Sequence, residues 1–431
     1  MTYSARRMVA AALGLAIATI SRAGVGSAQT PLLEVAKGDA AKLMLVNDDA
    51  GLVVRGTLDI GVIPAAGPGV RLMWYPRKGA FRAGRVDGGQ WDDGNIGVHS
   101  VAFGENTTAD GPYSTAVGSG TKASGVFATA VGMQSVAGGK SAFAAGEGTQ
   151  ANGNSSAALG YGAKAAGDMA VAMGTATTAG GKQSTAMGSE STASGLISTA
   201  MGYGTEAKGD YSTALGYATR ASGLSSTAMG VATTASGTGS VAMGTYAHAE
   251  GAGSFAFGDR STIESGEVIS TLANQFSARA YGGFLFSTGV NTGCFIPAGE
   301  GALNCTSSRL AKEGFEEVDG EAVLTQLANI PIQRWRYRGT TTVHLGPTAE
   351  DFHAAFGLGE GSTKIATVDA DGIALRAVQA LERRTAELRE ENDALRSEMR
   401  ERMTALSEEN ATLRVDLASL HQLLERGRRG P

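Results

Sequence analysis

STAMGYGTEAKGDYSTALGYATRASG, residues 198–223, holds one pattern twice. Gly202 and Gly216 stand 14 residues apart, and Gly209 and Gly223 repeat that interval half a period out of phase. Working outward, the first glycine series runs from Gly104 to Gly258 in eleven steps of 14, and the second from Gly111 to Gly251 in ten. A fixed period of this kind marks a solenoid, in which each repeat is one supersecondary unit stacked on the next. Each unit is predicted to form two short strands separated by turns, with Gly supplying the positive φ that turns need. Alternation along a strand sends the Ala of each "STAMG" to one side and the neighbouring Met, Val, Leu or Phe to the other. A small Ala inside lets coils stack closely. A narrow alanine core buries little apolar area, so the outer apolar row is expected to pack against another chain. Stacked at a strand spacing of ~4.8 Å, the units make a rod about 55 Å long.

Rival readings of the repeat fare worse. A Gly/Ser-rich linker has no reason to keep a strict period or an apolar residue in every unit. A calcium-binding roll needs an Asp in phase with its glycines, and these units have none. An ice-binding face needs an unbroken Thr ladder. The slot that holds Thr115, Thr129, Thr185 and Thr199 holds Ala157, Val171 and Phe255 elsewhere.

Composition agrees with a fibre rather than a conventional enzyme. Gly accounts for 63 of 431 residues, and charged residues make up 18%, against about 25% in ordinary globular chains. The net charge of −5 gives no basic footprint for nucleic acid.

Residues 1–28 read as a signal peptide. Arg6 and Arg7 form the positive start, Met8 to Ile20 is the apolar run, and Gly26 and Ala28 suit a cleavage site. That run is too short to cross a bilayer, which needs about 20 residues, and no other run is long enough. Export places Cys294 and Cys305 in an oxidising compartment, where a disulfide is the default. Free thiols or half of a metal site are the alternatives, although two cysteines alone cannot fill a zinc site.

Residues 29–99 read as a less regular β segment. Arg71, Arg77, Lys78, Arg82 and Arg85 interleave with Trp74, Tyr75 and Phe81. Such a mixture can bind a phosphate or acidic glycan. The favoured reading is a cap for the solenoid, whose ends need covering.

The units from Ser100 to Ser261, with both glycine series and the recurring S-x-A-x-G, resemble the head repeats of YadA-like trimeric autotransporter adhesins. The resemblance implies a left-handed parallel β-roll in a homotrimer displayed outside the cell. Residues 262–306 then serve as a connector that carries the two cysteines.

After residue 304 charge rises and Gly falls. EEVDGEAVLTQLANI is predicted to be an amphipathic helix with Val318, Val323, Leu324 and Leu327 on one face, stopped by Pro331. IQRWRYRG follows as a strand. From Val378 to residue 426, Leu381, Leu388 and Leu395, then Leu406, Leu413 and Leu420, step by seven, with a stutter between the two runs. Val378, Met399, Met403, Leu417 and Leu424 fit the companion seam of a coiled coil. Asn392 and Asn410 fall there too, and a buried Asn commonly fixes register and strand number.

Residues from Ser307 to Leu381 resemble the intramolecular chaperone domain of phage tailspikes and endosialidases, an auto-processing peptidase family. SSRLAKEGF, LTQLANIPIQRWRY, HLGPTAEDFHAAFG and VDADGIALRAVQAL carry the likeness. The family's first motif is typically Ser-Asp-x-x-x-Lys. Here the serine matches Ser307, the lysine matches Lys312, Ser308 stands in place of the Asp, and Glu350 stands where Gln is common. The resemblance implies a cut at Thr306–Ser307, with Ser307 as nucleophile and Lys312 as base. A Ser–Lys pair is a known variant of triad logic, but five-residue spacing alone would equally suit Ser307 or Ser308 as a helix N-cap. His344, Asp351 and His353 offer a metal or triad set, but without a matched serine site they read as structural.

The sequence thus leads to a mostly β protein: a β-roll head, an α+β chaperone domain at 307–377 and a C-terminal coiled coil. The expected function is that of an exported, trimeric, adhesin-like surface fibre. Its chaperone drives trimerisation and then self-cleaves once, as a serine auto-endopeptidase acting on no external substrate. No cofactor or metal is expected. The alternatives are a fibre that never cleaves, or a phage-derived tail fibre, against which the export signal argues.

Overall fold

The computed structural model describes residues 31–36, 42–46, 52–54, 56–290, 292–428 and 430, so the signal-peptide reading of residues 1–28 lies outside the described residues. The chain divides between Cys305 and Thr306 into two compact units.

The first unit is a parallel β-solenoid of about eleven turns built on two sheets, one of 15 strands and one of 12. Each 14-residue unit gives a five-residue strand, such as Thr199–Tyr203, and a two-residue strand, such as Glu206–Ala207. Neighbouring coils pair in parallel with like residues opposite one another, Ala186 on Ala200 and Gly188 on Gly202. The sheets run past the regular period, because Val268–Ser270 and Phe276–Arg279 add one further coil.

The core is narrower and more polar than alternation suggested. Every in-facing alanine of the long strands, Ala102 to Ala256, is fully buried, and so is every alanine of the short strands, Ala109 to Ala249. Between them lie two buried rows of small hydroxyl residues. One includes Ser198, Ser212 and Ser226, and the other includes Thr205, Thr219 and Thr233. Ser198 Oγ donates to the Gly195 carbonyl at 2.7 Å, and Thr205 Oγ1 to Ser191 Oγ at 2.9 Å. Hydroxyls fit here because they are small; among the described residues some, like Ser198 and Ser226, reach a backbone carbonyl, while others, such as Ser212, Thr219 and Thr233, are buried without a hydrogen-bond partner.

Both glycine series are needed for clearance between coils and only the first also for φ, which corrects the expectation that both serve positive φ; in that first series a Cβ at Gly118 would lie 1.9 Å from the Gly132 oxygen. Gly104 to Gly244 do lie at φ between +92° and +132°. Gly111, Gly125 and their successors carry no such φ. They are needed because a Cβ would sit on the next coil: at Gly125 it would be 1.9 Å from the Gly139 oxygen. Many left-handed corner positions are held by larger residues instead, including Tyr113, Phe127, Ile197 and Tyr211 at φ of 54–61°. This costs conformational energy for residues with a Cβ. Each corner N–H offsets part of the cost by donating to the previous coil, as Tyr211 does to Leu196 at 2.8 Å and Ile197 to Lys182 at 2.9 Å. Their side chains project outward, and His99, Tyr113 and Phe127 stack in series with ring centroids 5.1 and 4.9 Å apart.

At the N-terminal end, Gly69–Tyr75 and Ala80–Val86 form an antiparallel hairpin whose second strand begins the parallel stack. Arg82 falls in register with Ala102 and is fully buried. Its guanidinium donates to the carbonyls of Phe81, Ser100 and Ala109 and to Ser100 Oγ, all within 3.0 Å. Burial pushes its pKa down to about 10, so it stays charged at neutral pH. Trp91, also buried, donates to the Thr107 carbonyl at 2.8 Å. Lys78 pairs with Asp93, and Arg85 with Asp87 and Glu105. These cations are engaged by the protein itself, which supports a cap over an anion site. Arg82→Met is expected to leave buried carbonyls unpaired and to cost about 3 kcal/mol. Hydrogen exchange would show protection lost at the first coils rather than uniformly.

On the outer face of the long strands, Phe103, Val131, Met173, Met201 and Phe257 are between 36% and 39% exposed. The outward positions of the short strands are mostly polar, as at Lys122, Gln150, Lys164 and Arg220.

In the second unit the helix Gly320–Asn329 starts on an Asp319 cap that accepts from Glu321 N at 2.9 Å. Val323 and Ile330 pack with Phe352 of the helix Ala349–Phe356 and with Ile373 and Ala377. Val318 precedes the helix and is exposed, so it is not part of the buried face. Gln333–Trp335 pairs with His344–Gly346 in a short hairpin. The last helix runs unbroken from Thr367 to Gly427 and so begins eleven residues before the coiled-coil pattern at Val378. Its first turns serve the domain core through Ile373, Ala377 and Ala380, a role the heptad count could not reveal. The heptad leucines from Leu381 to Leu420 are 49–58% exposed in the single chain.

Candidate active site at the Thr306–Ser307 bond

The site lies at the start of the second unit. Ser308 has extended backbone angles, and its hydroxyl accepts from Leu310 N at 3.2 Å, which caps a short 3₁₀ turn over Arg309–Ala311. The turn brings residue 312 back toward residue 307. Lys312 Nζ donates to Ser307 Oγ at 2.7 Å. One serine therefore caps the turn and the other meets the lysine. Asp and Ser rank together as N-caps, and so Ser308 can keep the turn that an Asp would keep. The guanidinium of Arg309 lies over the Phe315 ring at 4.4 Å.

Chemically, a hydroxyl hydrogen-bonded to an amine can serve as a nucleophile beside a base, an arrangement used to activate serine in covalent catalysis. The carbonyl of Thr306 is bonded directly to the nitrogen of Ser307.

Upstream, Cys294 and Cys305 are joined in a disulfide between directly paired residues of two antiparallel strands, Gly293–Ile296 and Asn304–Cys305. Closing a loop of this size contributes about 3 kcal/mol in the loop-entropy account.

His344, Asp351 and His353 do not converge on one point. The His344 ring stacks on Trp335, Asp351 sits at the capped start of the Ala349–Phe356 helix, and a His353 ring nitrogen meets the Leu358 carbonyl at 2.8 Å. Among the described residues no cluster of His, Cys, Asp or Glu could hold a metal ion. The sequence reading missed Trp335 and Tyr337, which pack against the His344 ring and border a cavity with Thr348, Glu350 and Lys364. The alternation in QRWRYRG was the available signal, since it puts Trp335 and Tyr337 on one face.

Comparison with known proteins gives two family matches. Residues 96–121, 110–135, 137–163, 165–191, 193–219, 221–247 and 235–261 match the YadA head domain repeat, and residues 307–357 match the chaperone of endosialidase. The chain carries YadA head repeats and an endosialidase-type chaperone domain. The chaperone match begins at Ser307, the serine that Lys312 contacts. No curated protein matches the chain at significant similarity.

Proposed function

We propose that the protein is an exported, homotrimeric, adhesin-like fibre whose C-terminal domain drives trimerisation and then cuts the chain at Thr306–Ser307. The observation that carries the cleavage is the 2.7 Å contact between Lys312 Nζ and Ser307 Oγ at the first residue of the chaperone match. In the reaction, the Lys312 amine takes the Ser307 hydroxyl proton as Oγ attacks the Thr306 carbonyl carbon. The C–N bond breaks, the proton passes to the Ser307 nitrogen, and an ester joins Thr306 to Ser307 Oγ. Water then hydrolyses the ester, leaving a Thr306 carboxylate and a free Ser307 amine. The protein acts once, on itself.

Trimerisation is supported by two unpartnered apolar surfaces in one chain, the outer row of the roll and the leucine stripe of the long helix. Strand pairing between non-local coils is slow to nucleate. A coiled coil that first aligns three chains shortens that search, and removal of the aligned template afterwards leaves the product kinetically trapped. Cleavage and assembly are tested together by intact mass and light scattering of the exported chain. The expected result is two fragments split at Thr306–Ser307, with an upstream fragment three chains in mass. A chain that stays whole, or a monomeric rod, overturns the respective half of the proposal.

The outer row has its own test. Met201→Lys puts a charge on that face without touching the buried alanines. The upstream fragment is expected to lose its trimer mass, at a cost of several kcal/mol for a charge buried without a partner, while the circular dichroism of the β-roll is kept.

A further inference from the structure

We infer that the cavity beside Trp335 and Tyr337 in one copy of the chain seats Leu310 of a neighbouring copy, and that this cover takes the neighbour's Lys312 out of water. The inference rests on the self-cleavage reading above.

Both surfaces belong to the second unit. The turn that holds the Ser307–Lys312 pair is bare in the single chain. Leu310, in the middle of the turn, is 99% exposed, and Ser307 and Lys312 are exposed with it. Water favours the ammonium form of a lysine, whereas only the amine accepts a proton, and burial shifts the balance toward the amine. The reaction therefore gains from a cover over the turn that the single chain does not place there.

The cavity has the features of that cover. It measures about 500 Å³ and is walled by Trp335, Tyr337, Pro347 and Ile365, while Glu350 and Lys364 give it one charge of each sign. None of its lining comes from the turn, so a chain does not fill its own cavity. The turn carries the matching set. Leu310 suits the apolar wall, and Arg309 and Glu313 flank it in sequence with charges opposite to those of Glu350 and Lys364. Among the described residues none of these four charged groups is in an ion pair. An apolar knob on one part of a molecule and a pocket on another make a heterologous contact, which closes into a ring when rotation relates the copies. The exposed leucine stripe of the Thr367–Gly427 helix lies in the same unit and supplies the surface that brings copies together. Each copy in the ring then gives one turn and receives another.

The test uses the full chain. Leu310→Asn and Tyr337→Asn alter side chains that are 99% and 64% exposed, so neither disturbs the domain core. Assembly is followed by light scattering and cleavage by intact mass. We expect both variants to reach the wild-type assembly mass but to cleave at least about tenfold more slowly near neutral pH, the effect of one unit in the pKa of the base. The deficit should narrow as the pH rises toward about 10, the ordinary lysine value. Co-assembly with Ser307→Ala chains then separates the two roles. Tyr337→Asn chains are expected to regain cleavage, because their Ser307→Ala neighbours bring an intact cavity. Leu310→Asn chains are expected to stay slow, because the side chain they lack is their own. Wild-type rates in both single variants would overturn the inference and leave the self-cleavage reading standing. So would failure of the Tyr337→Asn rescue, since the cavity would then serve its own copy. Loss of the assembly mass would overturn it too, because the contact would then build the oligomer rather than cover the site. If the wild-type chain does not cleave at all, the self-cleavage reading itself fails.

Discussion

Ser307→Ala is expected to leave the chain in one piece. The substitution removes one oxygen and, with it, both the nucleophile and the acceptor of the Lys312 contact. The neighbouring cap at Ser308 is untouched, so the 3₁₀ turn and the domain core should persist. Nothing else in the described residues offers a second nucleophile bonded in the same way to Thr306. The rate should fall by at least about 1,000-fold, in line with the loss of a covalent nucleophile that works as a unit with its base. Lys312→Ala should do nearly the same, and the double variant should be no worse than either single one. That non-additivity is the sharper reading: additive losses would mean that serine and lysine act separately. Full cleavage of Ser307→Ala at Thr306–Ser307 would sink the mechanism. Ser308→Ala gives a contrasting outcome. It removes a cap worth about 1 kcal/mol, so cleavage should slow modestly rather than stop.

The second large effect concerns two adjacent glycines in the roll. A Cβ at Gly181 would lie 1.9 Å from the Gly195 oxygen and 2.6 Å from its carbonyl carbon, both backbone atoms of the next coil. A Cβ at Gly180 would meet nothing nearer than 3.9 Å. Neither residue has positive φ, so the comparison isolates coil-to-coil clearance from backbone conformation. Gly181→Ala is expected to pry two coils apart and destabilise the roll by 4 kcal/mol or more, in the exceptional range for one substitution. Gly180→Ala should be neutral or slightly stabilising through its effect on the unfolded chain. Thermal unfolding of both variants decides the matter. Equal melting temperatures would mean that the coils are further apart than the glycine carbonyls indicate.

The proposed coupling of assembly and cleavage makes physical sense of the order of parts along the chain. The rod has a thin core of alanine and small hydroxyls. It gains little from apolar burial within one chain, since alanine contributes little area. A partnered outer row and an aligning coil supply what a single chain lacks. The disulfide lies upstream of the bond at Thr306–Ser307, so the crosslink stays with the rod after the cut.

Much of this was legible in the residues alone. Two glycine series at a period of 14 determined the solenoid, because only stacked identical coils make an invariant spacing physically useful. Alternation determined that alanine faces in and that Met, Val, Leu or Phe faces out. The heptad leucines determined a long helix. What the tertiary structure decided were matters of distance between residues far apart in sequence or differing in backbone angle. It showed that both glycine series are kept for clearance and only the first also for φ, since clearance is set by the neighbouring coil and leaves no local signature. It placed Arg82 in the alanine row as a buried end-plug, which composition would have put at the surface. It drew the long helix back to Thr367, because tertiary packing of Ile373 and Ala377 rather than heptad spacing sets its start. It also gave Ser307 and Ser308 separate tasks, one toward Lys312 and one on the turn. Spacing names the candidates, but only the path of the backbone between them determines which hydroxyl meets the amine.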